Sequence, residues 1–178
     1  TSAWTYWDLQ QQANRLANAL VAHGVKRGDR VAILLPQRPE TVIAHVACYQ
    51  MGAVAMPLSI LFGPEALEYR LQNSATSVAF VDPASLLNLQ PIRDRLPDLQ
   101  HVVGVAGALE VGVTPWERLL EQASWRFTPV DTAAEAPAPG DEEHLGVKGK
   151  VTEALAGEDV PGGAGAESFE PGLGVVVG

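Results

Sequence analysis

The sequence Gly28-Asp29-Arg30-Val31-Ala32-Ile33-Leu34-Leu35-Pro36 sets five consecutive apolar residues between a glycine turn and a proline. A short continuous apolar run is typical of a strand that is covered on both faces, as the strands of parallel sheets are. Proline has no N–H to donate to a sheet, so it marks the end of the strand. We therefore predict a buried strand over residues 31–35.

Helical and strand patterns alternate on both sides of this run. Apolar residues recur at helical spacing between Thr5, a capping residue with Asp8 as its capping-box partner, and Gly24, which ends the helix. Further helices are predicted at residues 39–51, 64–73, 84–95 and 115–122, and further strands at 54–57, 77–81 and 102–105. This alternation predicts an α/β fold with an open, mostly parallel sheet and flanking helices. We also expect the first strand to leave an exposed edge that favours aggregation.

Composition divides the chain into two parts. The 178 residues, 47% of them hydrophobic, support one core of ordinary size but not two full domains. Residues 1–132 hold 10 Lys and Arg against 12 Asp and Glu, whereas residues 133–178 hold 2 against 9, with 10 glycines and 4 prolines. We predict an α/β unit over residues 1–131 and an acidic Gly/Ala/Pro-rich tail over residues 132–178. The tail is expected to be disordered, because its small, scattered apolar groups bury too little surface.

The near-neutral first part restricts the function classes. It has no basic cluster, so we predict no nucleic-acid binding, which draws on phosphate contacts. No apolar run approaches the roughly 18–20 residues of a membrane helix, and the first residues do not read as a signal peptide. The single cysteine, Cys48, cannot form an internal disulfide, and its apolar helical setting predicts a buried, inert thiol. These features predict a cytoplasmic protein.

The common phosphate and metal motifs do not occur in the sequence. The first strand is followed by Pro36-Gln37-Arg38-Pro39 instead of a Gly-x-Gly-x-x-Gly turn, so we do not expect NAD or FAD binding. The glycines at 162–165 and 172–174 lack the Lys-Ser/Thr of a nucleotide loop, and the basic run 146–150 lacks a preceding strand. All three predict flexible chain. The four histidines show no metal-ligand spacing and are interpreted as structural or solvated: His23, His45, His101 and His144.

The remaining conspicuous side chains are given packing or surface roles. Four aromatic residues are predicted to pack in the core or at its edge rather than to form a ligand box: Trp4, Tyr6, Trp7 and Tyr49. Arg70 is predicted to pair with Glu65 or Glu68 on the surface of its own helix. None of these residues indicates a reaction.

A longer linear pattern runs through the same residues. It comprises Ala13-Asn14-Arg15-Leu16-Ala17-Asn18-Ala19-Leu20, Gly24-Val25-Lys26-Arg27-Gly28-Asp29-Arg30-Val31-Ala32, Pro36-Gln37-Arg38-Pro39-Glu40, Met51-Gly52-Ala53-Val54-Ala55-Met56-Pro57-Leu58 and Phe62-Gly63-Pro64-Glu65-Ala66-Leu67-Glu68-Tyr69-Arg70-Leu71. Over about residues 4–130 it resembles the N-terminal part of the AMP-dependent synthetase and ligase family, the adenylate-forming enzymes. The stretch Leu61-Phe62-Gly63-Pro64-Glu65-Ala66-Leu67 is most similar to bacterial acetyl- or medium-chain acyl-CoA synthetases.

The resemblance implies an ATP-dependent carboxylate–CoA ligase. In that reaction a carboxylate attacks the α-phosphate of ATP·Mg²⁺ to give an acyl-adenylate and pyrophosphate, and the thiol of coenzyme A then displaces AMP. The implied cofactors are ATP, Mg²⁺ and coenzyme A, the implied substrate is a carboxylate, and the implied setting includes fatty acid metabolism. None of these ligands is expected to bind this chain tightly by itself.

The family pattern stops near Asp131. The resemblance implies a phosphate loop of the form Thr-Ser-Gly-Thr-Thr-Gly-x-Pro-Lys-Gly soon afterwards, but residues 135–143 read Glu-Ala-Pro-Ala-Pro-Gly-Asp-Glu-Glu. We therefore assign no catalytic residue and no metal ligand, and the cofactor-binding residues are unknown. The chain begins with Thr1, and we expect a truncated or frameshifted fragment that is inactive alone. The alternatives are a non-catalytic binding or regulatory module, and one half of a split enzyme completed by the missing remainder.

Overall fold

The computed structural model describes residues 4–131. The acidic tail predicted over residues 132–178, with its predicted disorder, lies outside the described residues. The division of the chain at residue 131 therefore stays a prediction, and the fold that follows is that of the described residues.

Helices and strands alternate along this part of the chain. They are α1 (Tyr6–Ala22), β1 (Arg30–Leu34), α2 (Pro39–Met51), β2 (Val54–Pro57), α3 (Pro64–Asn73), β3 (Val78–Val81), α4 (Pro83–Leu89), a 3₁₀ helix (Gln90–Arg95), β4 (His101–Gly104), β5 (Val113–Pro115) and α5 (Trp116–Leu120). Most predicted elements are present within one or two residues of their predicted bounds.

The strands form one sheet in the order β2-β1-β3-β4-β5, and every neighbouring pair is parallel. The predicted α/β fold with an open parallel sheet is thereby confirmed. The expected exposed edge on the first strand is wrong, since Val31 of β1 aligns with Ala55 of β2 on one side and with Val78 of β3 on the other. The outer strands of the described sheet are β2 and β5.

The apolar run of β1 alternates between two cores, one on each face of the sheet. Val31 and Ile33 belong to the core beneath α1, α2 and α5, whereas Ala32 and Leu34 belong to the core beneath α3 and α4. Strand β3 is buried along its whole length in the same way. This alternation follows from the two-residue period of a strand, and it explains why a strand covered on both faces reads as a continuous apolar run.

Two elements differ from the sequence-based expectation. Strand β5 was not predicted, because three residues that follow Gly112 and end at Pro115 carry no strand periodicity. The single predicted helix over residues 84–95 is instead α4 followed by a 3₁₀ helix. The change occurs just before Pro91, whose ring is incompatible with an uninterrupted α-helix.

The predicted signals at the ends of α1 and α2 are confirmed. The Thr5 hydroxyl accepts a hydrogen bond from the Asp8 amide at 3.1 Å, and the Thr5 amide donates to the Asp8 carboxylate at 3.0 Å, which completes a capping box. These bonds lower the pKa of Asp8. Gly52 ends α2 in the left-handed region at φ 70°, and its carbonyl accepts from the Gly28 amide at 2.8 Å, so the turn before β1 rests on the end of α2.

Candidate functional site

The carboxyl ends of β1 and β3 are where an open parallel sheet most readily binds a ligand. From β1 the chain continues to β2 on one side, while β3 lies on the other side, so the connections diverge at this point. Arg38 and Glu40 follow β1, Asp82 follows β3, and Glu117 follows β5. Because all the strands are parallel, these residues lie at one edge of the sheet, and we call the four of them the switch-point cluster.

Arg38 and Glu40 form a bidentate ion pair. Nε of Arg38 donates to Oε2 of Glu40 at 2.7 Å, and a terminal nitrogen of Arg38 donates to Oε1 at 3.1 Å. The hydrogen bond to Glu40 raises the pKa of Arg38 and burial opposes that rise. For Glu40, burial acts to raise the pKa, yet the pKa lies below its ordinary value because the Arg38 guanidinium and the residue's own amide donate to the carboxylate.

The other two members of the cluster are carboxylates. Asp82 is the N-cap of α4, and its side chain accepts from the Ser85 amide at 2.8 Å. Asp82 and Glu117 both lie near enough to Arg38 for their charges to raise its pKa. One cation therefore faces three carboxylates, and this surplus of negative charge disfavours an anionic ligand such as a triphosphate.

A cleft of about 300 Å³ adjoins the cluster. It is lined by Trp4, Gln12, Arg15, Glu40, Trp116, Glu117, Leu120 and Glu121. Nε of Arg15 is buried there and has no hydrogen-bond partner among the described residues. Three carboxylates line this cleft against one guanidinium, and two of them, Glu40 and Glu117, also belong to the cluster. The cluster and the cleft together therefore hold four carboxylates against two guanidinium groups.

Sequence reasoning missed the switch-point cluster. Its members span residues 38–117 and come together only because β1, β3 and β5 share an edge of the sheet. The signal in the sequence is the position of the charged residues, which follow the ends of three strands. The carboxyl ends of parallel strands lie at the same edge of a sheet. That signal needs the strand order, which a single sequence does not supply.

The three described histidines contact backbone carbonyls. Nδ1 of His45 lies 2.8 Å from the carbonyl oxygen of Thr41, and Nδ1 of His23 lies 2.8 Å from that of Ala19. Nε2 of His101 lies 3.0 Å from the carbonyl oxygen of His23, and the two imidazole rings meet edge to face at 5.6 Å. His144 lies outside the described residues. Within residues 4–131, no group of three or more His, Cys, Asp or Glu side chains is placed to hold a metal ion.

A larger depression of about 580 Å³ lies beside His23. Asn18 and Ala22 of α1 line one wall, and Leu119 and Ser124 line the other. It is an open groove between the second half of α1 and the chain around α5. The predicted buried thiol is confirmed in the neighbouring core, where Cys48 is fully buried and burial raises its pKa to about 12.

Two side-chain predictions are corrected. The four aromatic residues predicted to pack are largely solvent-accessible, with exposed fractions of 44% for Trp4, 92% for Tyr6, 61% for Trp7 and 63% for Tyr49. Core packing is wrong for all four, and on α1 the buried stripe begins only after the first turn, at Leu9 and Ala13. Edge packing is present for two of them, since Trp7 meets Trp125 and Tyr49 meets His45 edge to face, at ring-centroid distances of 6.4 and 6.1 Å. Glu68 pairs with Arg95 of the 3₁₀ helix at 2.6 Å rather than with Arg70, whose guanidinium lies 4.0 Å over the ring of Phe62.

Comparison with known proteins identifies the family. The model of the AMP-binding enzyme family matches residues 1–146, which is most of the chain. The chain therefore belongs to the AMP-binding enzyme family, as the resemblance in its N-terminal segment implied. The match extends past Asp131, near which the linear pattern quoted above stops.

The similar proteins are CoA ligases. The chain is 36% identical over 127 residues to acetyl-coenzyme A synthetase of Bacillus subtilis, covering 70% of this chain and 22% of that protein. It is 33% identical over 137 residues to 3-hydroxybenzoate–CoA ligase of an Aromatoleum species, covering 77% and 25%. The crystal structure of the anthranilate CoA ligase AuaEII with anthranoyl-AMP superposes with a TM-score of 0.67 at 25% identity, covering 69% and 24%. The chain thus spans about a quarter or less of the length of each of these relatives.

The switch-point cluster and the cleft beside it are poorly suited to the phosphates of ATP. The switch-point cluster and the adjoining cleft each carry more carboxylates than guanidinium groups, and the one free cationic group there is the partly buried Arg15. The turn after β1 contains two prolines rather than glycines, so few amides are available to a phosphate.

No helix among residues 4–131 is long and apolar enough to cross a membrane.

Proposed function

We propose that this chain supplies the opening scaffold of an ATP-dependent carboxylate–CoA ligase. The observation that carries the proposal is the family match over residues 1–146, on a parallel sheet that superposes on a CoA ligase holding an acyl-adenylate. The scaffold contributes a rigid sheet whose two cores are both covered by helices. Ligand-binding segments in α/β proteins depend on such a support, since the scaffold sets where each loop begins.

The reaction of the complete ligase would join a carboxylate to coenzyme A in two steps. The carboxylate displaces pyrophosphate from ATP to form an acyl-adenylate, and the thiol of coenzyme A then displaces AMP. Mg²⁺ would neutralise charge on the phosphates in the first step. The names of the relatives point to two substrate classes, acetate and aromatic acids, and both are represented in the assay below.

We further propose that the 178 residues do not form an acyl-adenylate by themselves. Two features support this proposal. The sequence contains no stretch of the form Thr-Ser-Gly-Thr-Thr-Gly-x-Pro-Lys-Gly, and the charge at the carboxyl edge of the sheet is negative. Without donors and cations around the triphosphate, the charge that develops during adenylation has no stabilising partner.

The test is carboxylate-dependent pyrophosphate–ATP exchange with the purified chain. Acetate, 3-hydroxybenzoate and anthranilate would be assayed with Mg²⁺, and acetyl-coenzyme A synthetase of Bacillus subtilis serves as the positive control. We expect exchange equal to the blank for all three acids. Exchange above the blank that requires one of the acids and survives repeated purification would refute the proposed inactivity and name the substrate.

A mixing experiment with the same purified chain separates the scaffold, and the split enzyme that would use it, from the non-catalytic binding module. We would mix the chain with the Bacillus subtilis synthetase from which the matched segment of 127 residues has been removed. Recovery of exchange would support the proposed scaffold function, whether the native enzyme is one chain or is split into two. The negative control is the variant Phe80→Asp, which places a charge in the fully buried centre of β3 and should abolish recovery. A stable chain that restores no activity and captures another protein would favour the binding module.

A compartment follows from the same proposal. ATP and coenzyme A chemistry together with a single buried, reduced Cys48 is in keeping with the cytoplasm, which we propose as its location.

A further inference from the structure

Two asparagines on α1 hold the backbone of a distant segment. Nδ2 of Asn18 donates to the carbonyl of Ser124 at 2.7 Å and to the carbonyl of Arg126 at 2.8 Å. Nδ2 of Asn14 donates to the carbonyl of Trp125 at 2.9 Å. Three consecutive carbonyls are therefore bound by two carboxamides that are four residues apart, a spacing that places both on one face of the helix.

Apart from these bonds the segment is held by scattered contacts, among them the Trp125 ring against Trp7 and a hydrogen bond from the Arg27 guanidinium to the Asp131 carbonyl at 3.4 Å. Residues 123–131, which we call the exit segment, contain no helix or strand and so lack the backbone ladder of a regular element. Within it the Arg126 amide donates to the Ser124 hydroxyl at 3.1 Å, and farther along the Val130 amide donates to the carbonyl of Gln50 at 2.8 Å. Phe127 packs partly buried against the core beneath α1 and α2. The exit segment thus runs from α5 across α1 to the end of α2.

The asparagines are unfavourable for the helix itself. Asparagine ranks low in helix interiors, because its short polar side chain competes for nearby backbone groups. Here both carboxamides are directed away from α1. Nε2 of Gln10 donates to Oδ1 of Asn14 at 2.9 Å, which leaves Nδ2 of Asn14 facing the exit segment. Helix α1 therefore contains two residues of low helix propensity, and both bind the exit segment.

We infer that Asn14 and Asn18 are positioning residues that fix the path by which the chain leaves the α/β unit toward residue 132. The bonds themselves are independent of any reaction. Their value for catalysis rests on the proposed function, because the phosphate loop implied by the family follows the exit segment. In a complete ligase the two carboxamides would then set where that loop begins, relative to the sheet.

The test compares three variants of the full 178-residue chain by hydrogen exchange. Asn18→Asp and the double change Asn14→Asp with Asn18→Asp keep the side-chain size but replace the donor with an acceptor that repels the carbonyls. Gln11→Glu is the matched control, since it makes the same chemical change on α1 at a residue with no side-chain hydrogen bond among the described residues. The readout is the exchange rate of the Arg126 and Val130 amides.

We expect the double variant to exchange at Arg126 and Val130 about ten- to thirtyfold faster than the parent, the size expected for losing three weak neutral hydrogen bonds. Amides of β1 and β3 should keep their parent rates, and Gln11→Glu should match the parent everywhere. Trypsin cleavage after Arg126 should accelerate in parallel. Should the double variant fail to fold, the single change Asn18→Asp, which removes two of the three bonds, gives the same comparison.

Unchanged exchange at Arg126 and Val130 in a folded variant would overturn the inference. So would an increase spread evenly over α1 and the sheet, because that result indicates a general loss of stability rather than a local anchor. Neither result bears on the ligase proposal, which is decided by whether exchange recovers when the unaltered chain is mixed with the truncated synthetase. The two ideas therefore fail separately.

Discussion

Replacing Gly104 with alanine should destabilise the fold strongly, although the substitution adds only one methyl group. Gly104 is the last residue of β4, where it is aligned with Val81 of β3 and Pro115 of β5. A Cβ atom built there would lie 1.8 Å from the carbonyl oxygen of Ala108 and 2.8 Å from Cγ1 of Val113. The conflict is one of space, because the backbone of Gly104 does not occupy the left-handed region.

The magnitude follows from what would have to move. Ordinary contact begins near 3.4 Å, so the Ala108 carbonyl would need to retreat by about 1.6 Å. That carbonyl belongs to a tight turn that is closed by a hydrogen bond from the Ala108 amide to Val105 at 3.1 Å, and Ala106 already holds a positive φ of 56°. Overfilling a packed interior usually costs about 1–3 kcal/mol, and we expect about 3 kcal/mol or more here because the obstacle is backbone. A domain of this size is stable by only about 5–15 kcal/mol.

Urea unfolding, followed by far-ultraviolet circular dichroism, measures the effect. Gly63→Ala is the matched control, since Gly63 caps α3 in an extended conformation and a Cβ there meets nothing within 4 Å. We expect the control to lose no more than about 1 kcal/mol, the size of a weakened N-cap. A Gly104→Ala variant that unfolds within about 0.5 kcal/mol of the parent would show that the turn after β4 yields easily, and the reasoning from packing would be wrong.

Three further predictions use other sites. The Cys48 thiol should not react with a thiol reagent at pH 8 until the chain unfolds, because burial raises its pKa to about 12; rapid labelling of folded protein, measured by mass, would contradict this. Thr5→Ala should lower the free energy of unfolding by about 1 kcal/mol through loss of the capping box with Asp8, and Thr5→Ser should restore most of it in the same urea assay. The pKa of Glu40 is lowered in the folded state, so its pair with Arg38 contributes stability above the unfolded pKa of about 4.3, and that contribution is lost as pH falls through the folded pKa. Acid unfolding of Glu40→Gln should accordingly depend less on pH, by under about 1 kcal/mol for a pair with this exposure.

The fold was predictable because its strands carry a signal that does not depend on their partners. The run after Arg30 is continuously apolar since β1 is buried from both faces, and Gly52 ends α2 in the conformation that glycine favours. Strand β5 lacks such a signal. It is held by its alignment with Val102 and Val103 of β4, so its identity as a strand depends on the neighbour rather than on its own three residues.

The order of the strands accounts for what the sequence could not reveal about the site. Arg38 and Glu117 are 79 positions apart, and only the arrangement β2-β1-β3-β4-β5 brings the ends of β1 and β5 to one edge near Asp82. The parallel alternation indicates that such an edge exists, but it does not indicate which charged residues meet there.

The asparagines of α1 illustrate a second limit. Asn14 and Asn18 belong to the linear pattern that identified the family, yet on the helix alone they read as ordinary polar surface positions. Their partners are backbone carbonyls, which every residue possesses, so the identity of residues 124–126 carries no trace of the interaction. An apolar contact leaves a matching apolar residue in the partner segment, whereas a side chain that binds a carbonyl leaves none. The sequence signal for such an anchor is therefore the polar residue itself, at a helical position where it lowers the stability of the helix, because the carbonyl partner leaves no signal in the sequence.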